Sequence, residues 1–277
     1  MLFLLLAVLS SAMVSIVMRV SSDKVTGNLS MLAMNYLICS ALGAAYAQFS
    51  LWQPQTGGFG LTMALGVVAG SLYLAGFVML QRSVRSHGVV LSSVFMKLGL
   101  LVPIVMSLVF FGEIPTAAQV AGFLIAVFAI VLINLKRDGS AKFGMGLILL
   151  LLLGGGCDAM SKVYEVLGNA ALSEQFLFYT FLVAFLLCAA LVVRVRERFG
   201  WKDILFGVLI GIPNFFSAKF LLLALNFLPA VVVYPSFSVA TLLIITLTGV
   251  AVFKERLSKL QWTALAAIVA ALILLNL

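Results

Sequence analysis

Apolar runs of about twenty residues, broken by short polar stretches, follow one another along the whole chain. A bilayer crossing takes about 20 mainly apolar residues. Ten runs qualify, at about residues 2–20, 29–51, 59–80, 88–111, 116–135, 143–166, 174–193, 203–226, 230–253 and 259–277. Their connections are short, and none reads as a separate soluble domain. The pattern predicts an all-α integral membrane protein with ten transmembrane helices, spans 1 to 10 in chain order. The first run, Leu2–Met18, has no basic residues before it and is followed by others of the same kind, so it reads as a span and not as a leader.

The pattern also repeats, at an offset of about 142 residues. Phe111-Gly112-Glu113 recurs as Phe253-Lys254-Glu255, Thr116 meets Ser258, Gln119 meets Gln261, and Asn134 meets Asn276. The expected domains are 1–138 (spans 1–5) and 139–277 (spans 6–10). Five crossings per half is an odd number, so the halves enter the membrane in opposite senses, as two inverted five-helix repeats. Thr116-x-x-Gln119 and Ser258-x-x-Gln261 read as capping boxes opening spans 5 and 10, with Pro115 suited to the first helix start. Gly66-x-x-x-Gly70 in span 3 and Gly207-x-x-x-Gly211 in span 8 are small-residue pairs that let helices pack closely in lipid.

Composition agrees: the chain is 64% hydrophobic and 9% charged, with mean hydropathy +1.24. The net charge of +8 sets topology and does not imply nucleic acid. Fourteen of the seventeen basic residues fall in the odd-numbered connections, among them Arg19, Lys24, Arg82, Arg85, Lys136, Arg137, Lys142, Arg194, Arg196, Arg198 and Lys202. The positive-inside rule places those connections in the cytoplasm and both termini outside. Cys39, Cys157 and Cys188 all lie in apolar runs and read as packing residues without a disulfide.

At Phe111-Gly112-Glu113 and Phe253-Lys254-Glu255, each followed by a Gln and a Gly/Ala-rich helix ending in Asn, the chain resembles the drug/metabolite transporter superfamily in its ten-span form with two EamA-type domains. The resemblance covers essentially the whole chain. It implies a central cavity lined mainly by spans 1, 3, 4, 6, 8 and 9, and a multi-pass protein of the plasma membrane, a bacterial inner membrane by type. In the superfamily's four-span members a proton-coupled acid precedes a basic residue in the first helix. The matching bases here are Arg19 and Lys162, and the acid's place falls at Ser11 and Gly154. Neither is acidic, but Asp158 lies one turn beyond Gly154 on the same face.

A charge inside a span is costly and faces a cavity or a partner. Lys97 lies near the middle of span 4, about 15 Å from either end by helical rise, too deep to reach the interface. Lys219 lies in span 8, and Asp158 in span 6 after Gly154-Gly155-Gly156-Cys157. Two deep lysines against one deep aspartate leave a positive charge that a substrate carboxylate or phosphate would neutralise. Lys162 is expected to pair with Asp158 one turn away or to reach the interface. Asn35 and Tyr36 in span 2, Tyr73 in span 3, Asn214 in span 8 and Tyr234 in span 9 are further candidates for the substrate site, offering orienting hydrogen bonds. Pro103, Pro213 and Pro235 are candidate gating positions, since a proline inside a helix frees a carbonyl and bends it. Glu113 and Glu255, at span ends just before the boxes, read as helix-start groups.

The expected function is a secondary active transporter that moves a small organic metabolite, an amino acid or organic anion, by alternating access. Lys97 and Lys219 would hold the anionic group, and Asp158 a cationic group or a proton. The alternative is proton-coupled efflux of cationic or amphipathic compounds with Asp158 as the exchange acid. A lipid-linked sugar flippase follows from the resemblance alone. An enzyme is not expected: there is one deep carboxylate, the sole histidine, His87, sits at a connection, and no nucleotide-binding motif is present. The expected partners are a small-molecule substrate, the lipid bilayer and protons, with no cofactor, metal or nucleic acid. The duplication supplies both halves, so a monomer can be complete.

Overall fold

The computed structural model of the chain describes residues 1–21, 24–87, 89–134, 145–252, 254 and 259–277. Among them are helices and no strand: α1 (Leu2–Ser21), α2 (Asn28–Tyr46), α3 (Phe59–His87), α4 (Val89–Leu98), α5 (Leu101–Phe110), α6 (Ala117–Asn134), α7 (Met145–Leu167), a 3₁₀ turn (Ala170–Leu172), α8 (Ser173–Val195), α9 (Trp201–Leu225), α10 (Ala230–Ala251) and α11 (Lys259–Leu275). Among the described residues, seven helices are long and apolar enough to cross a membrane, and Phe95–Phe110, Ala117–Leu132 and Trp262–Leu275 form shorter apolar stretches.

The run at 88–111 is not one helix. α4 stops at Leu98 and α5 starts at Leu101, with Gly99-Leu100 as a turn between them. Pro103 accounts for the position of the break. It has no N–H to give the Gly99 carbonyl four residues back. That carbonyl accepts from the Val102 N–H instead, at 2.9 Å. α9 and α10, with Pro213 and Pro235 inside them, stay continuous.

The chain divides into two compact units, each made of two separate stretches of the sequence. The first contains Met1–Leu74 and Val163–Leu223. Here α2 runs along α8, and glycine lets the backbones approach: a Cβ on Gly43 would lie 2.9 Å from the Phe178 Cα. The two glycine pairs serve two further contacts. Gly66 and Gly70 lay α3 on α8, where added Cβ atoms would lie 2.8 Å from the Tyr179 Cβ and 2.9 Å from the Val183 Cβ. Gly207 and Gly211 lay α9 on α2, with corresponding distances of 2.8 Å to the Met31 and Asn35 carbonyl oxygens. In lipid, where apolar burial drives little association between helices, such close packing holds them together.

Polar caps close both ends of this unit. At the start of α2, the Asp203 carboxylate accepts from the Thr26 N–H at 2.7 Å, and Glu197 accepts from the Ser30 N–H at 2.8 Å. At the other end, Gln175 Nε2 donates to the Ser50 carbonyl at 3.0 Å and the Tyr179 hydroxyl to the Leu51 carbonyl at 2.8 Å.

The second unit contains Ala75–Lys162 and Ala224–Leu277. α6 runs along α11, with Ala126, Ala129 and Ile130 buried on one helix and Ala264, Ile268 and Ala271 on the other. The capping box at the start of α6 is formed in both directions. The Gln119 N–H donates to the Thr116 hydroxyl at 3.2 Å, and the Thr116 N–H to Gln119 Oε1 at 3.0 Å. Phe253, Glu255 and the Ser258 of the second box lie outside the described residues.

Candidate functional site

In the second unit the α4–α5 break rests on the glycines of α7. A Cβ on Gly99 would lie 2.8 Å from the Gly155 nitrogen, and one on Gly154 would lie 2.9 Å from the Met96 sulfur. Only glycine permits this approach, and it sets Lys97, at the end of α4, beside Asp158, one turn further along α7. The Lys97 ammonium and the Asp158 carboxylate lie within electrostatic reach of each other, and each side chain is only half-buried. From α10, the Tyr234 hydroxyl donates to the Asp158 main-chain carbonyl at 2.8 Å, immediately before Pro235. Lys97, Asp158 and Tyr234 are therefore brought together.

Lys162 does not take Asp158 as its partner. Its ammonium, 5% exposed, closes on Glu113 at 2.7 Å. The second Glu113 oxygen accepts from the Ala230 N–H at 2.8 Å, the first residue of α10. Glu113 is thus a helix-start group, but for α10 rather than for the α6 that follows it in sequence. Burial pushes its carboxyl up, but the Lys162 ammonium and the Ala230 N–H outweigh this and hold it below the usual carboxylate range.

In the first unit, Asn214 Nδ2 donates to Asn35 Oδ1 at 3.1 Å, and the Cys39 thiol donates to the Gly211 carbonyl at 3.3 Å. Tyr36 meets Tyr73 edge to face, with ring centroids 6.4 Å apart, and both contact Phe181. Lys219 stands apart from this polar cluster. Its ammonium lies 3.5 Å above the Tyr46 ring and 2.6 Å from a Glu174 oxygen. The charge balance drawn from deep residues alone changes accordingly, because Glu174 at the start of α8 neutralises Lys219. Sequence reasoning missed Glu174 and Tyr46. An acid in the first turn of a helix reads as complementing the helix dipole, and no spacing rule connects it to a lysine on another helix.

A multi-pass helical protein that holds opposite charges beside a broken apolar helix has the features of a membrane carrier. The chain belongs to the EamA-like transporter family, whose model matches residues 1–135 and again 144–277. It is a membrane transporter of the drug/metabolite type and not an enzyme. It is 24% identical over 277 residues to a protein of Haemophilus influenzae described as uncharacterized, covering 94% of this chain and 92% of the relative. A solved crystal structure at 18% identity matches with a TM-score of 0.73, covering 99% of this chain and 94% of that one, and so shares the fold.

Proposed function

We propose that this chain is a secondary active transporter for a small zwitterionic or anionic metabolite, an amino acid above all, working by alternating access. The observation that carries the reading is the Lys97–Asp158 pair. Both groups sit within apolar helices, lie within electrostatic reach of each other and keep part of their surface open. A charge in such a place marks a substrate or ion path. An amino acid brings a carboxylate for Lys97 and an ammonium for Asp158, so neither charge is left unpaired when the two separate. The other candidate substrate contacts, Asn35, Asn214, Tyr36 and Tyr73, form polar and aromatic contacts of their own within the first unit. Lys219, also in the first unit, can meet an anion only when Glu174 releases it.

The seven long helices and three shorter apolar stretches fit ten crossings, with α4 and α5 together as the fourth. The glycine pairs support an inverted repeat of 1–138 and 139–277: α3 packs on α8 as α9 packs on α2, each helix meeting the repeat mate of the other's partner. The basic connections are assigned to the cytoplasm, in a plasma membrane of bacterial inner-membrane type. The Gly99 break, set by Pro103, and the prolines Pro213 and Pro235 are the positions assigned to gating. One observation favours proton-coupled efflux of cationic compounds as a second reading: Lys162 pairs with Glu113, so Lys97 and not Lys162 is the cation with which a proton or a substrate cation competes for Asp158.

The test is counterflow uptake of labelled amino acids into proteoliposomes holding wild type, Lys97→Ala or Asp158→Asn. The proposal expects uptake by wild type and loss in both variants. Uptake of quaternary cations alone, kept in Lys97→Ala and lost in Asp158→Asn, contradicts it and supports efflux.

A further inference from the structure

The connection between α8 and α9 joins two membrane-crossing helices, so it lies where the bilayer meets water. Its sequence from Arg194 to Asp203 carries four bases and two acids. The structure sorts them. Asp203, 0% exposed, turns inward to hold the Thr26 and Gly200 N–H groups, each at 2.7 Å. Glu197 turns inward to the Ser30 N–H at 2.8 Å. Both acids are therefore consumed in capping. Arg194, Arg196, Arg198 and Lys202 are exposed, and no ion pair engages them among the described residues. Between them stand two large exposed rings, Phe199 at 52% and Trp201 at 69%.

The backbone points the same way. Arg196 closes α8 in the left-handed conformation, φ 56°, its N–H bonded to the Val193 carbonyl and the Glu197 N–H to the Val192 carbonyl. Glycine is the residue that suits such a closure. An arginine there puts a further cation on the turn at a conformational cost.

We propose that the turn Arg194–Lys202 is a headgroup site for anionic phospholipid: its cations hold the phosphodiester while Phe199 and Trp201 enter the boundary between headgroups and acyl chains. Basic clusters next to a crossing helix attract anionic lipid, and aromatic rings anchor at that depth. A soluble anion shares the phosphate chemistry. The flanking rings favour the lipid, since only a lipid brings an apolar boundary beside its charge.

The test uses the full chain in nanodiscs with Trp201 as the sole tryptophan (Trp52→Phe, Trp262→Phe). Trp201 fluorescence is quenched by brominated phosphatidylglycerol or by brominated phosphatidylcholine at equal fractions. The expected result is a preference for phosphatidylglycerol of about fivefold or more, falling to near unity in R194Q/R196G/R198Q/K202Q and weakening in high salt. Equal quenching by the two lipids, or an undiminished preference in the variant, overturns the proposal. Inorganic phosphate added to the same discs should leave the preference intact; if it abolishes the preference, the site takes a soluble anion and the lipid assignment falls. Should the fourfold variant not fold, R196G alone removes one cation and relieves the left-handed residue. A preference in R196G equal to wild type then overturns the proposal, and a reduced one supports it.

Discussion

Lys162 lies one helical turn beyond Asp158 on α7, yet it closes on Glu113 at 2.7 Å. That choice leaves Asp158 to Lys97 and ties three elements together, because Glu113 also holds the first N–H of α10. A local pair within α7 would have gained a few tenths of a kcal/mol. The pair that forms instead gives a buried ammonium its counter-charge and a helix its cap. One carboxylate thereby fixes the approach of α10, which carries Tyr234, to α7, which carries Asp158.

Glu113→Gln should therefore destabilise the protein strongly. It takes from the buried Lys162 ammonium the counter-charge that lies 2.7 Å away, and breaking a buried pair in this way costs about 3 kcal/mol or more. The low end is expected, because the Glu113 side chain keeps 19% exposure. Thermal unfolding in detergent checks this, and Glu113→Gln/Lys162→Met should recover part of the loss. The pH dependence has a definite sign. The Glu113 carboxyl is held below its ordinary value of 4.5. Its contribution is thus complete above that pH and is lost as pH falls through the folded value. The stability gap between wild type and Glu113→Gln should be constant above about pH 5.5 and narrow in acid.

Removing Glu174 should cost less, because Glu174 is 28% exposed and Lys219 keeps its contact with the Tyr46 ring. A double-mutant cycle on unfolding should give a coupling of about 1–2 kcal/mol. Glu174→Gln should also strengthen the binding of anionic ligands severalfold, since it frees Lys219. Weaker anion binding in that variant would count against a substrate role for Lys219.

The contact between the helix break and α7 can be tested with a single methyl group. In Gly155→Ala the new Cβ collides with the Gly99 carbonyl and lies 2.6 Å from Val102 Cγ2. Overpacking of this kind costs about 1–3 kcal/mol. Transport should fall further than stability alone explains. Gly76→Ala is the control: its Cβ meets nothing closer than 3.8 Å, so stability should hold or rise slightly.

Much of this was legible along the chain. Apolar length marked the seven long helices but gave the run at 88–111 as a single one, and the Thr116 box and the two glycine pairs sit where their local rules put them. The break at Gly99 was within reach, since Pro103 names the carbonyl it cannot satisfy, but a proline read only as a kink does not locate a turn. The ion pairs were not legible. Lys162 with Glu113 and Lys219 with Glu174 each join different helices. Periodicity reports which face a residue occupies, not which neighbouring helix supplies its partner. The same limit applies to Asn35 and Asn214, whose residue types pointed to buried hydrogen bonds while their pairing with each other needed the contact of α2 with α9.

The central claim is that Lys97 and Asp158 divide the two charges of one substrate. Binding to purified protein of an amino acid, its decarboxylated amine and its N-acetyl derivative tests this most directly, with Lys97→Ala and Asp158→Asn beside wild type. Calorimetry or thermal shift can serve as the readout. The amino acid should bind wild type far more tightly than either derivative, Lys97→Ala should remove its advantage over the amine, and Asp158→Asn should remove its advantage over the N-acetyl acid. An amine that binds as tightly as its amino acid, with no change in Lys97→Ala, would contradict the claim.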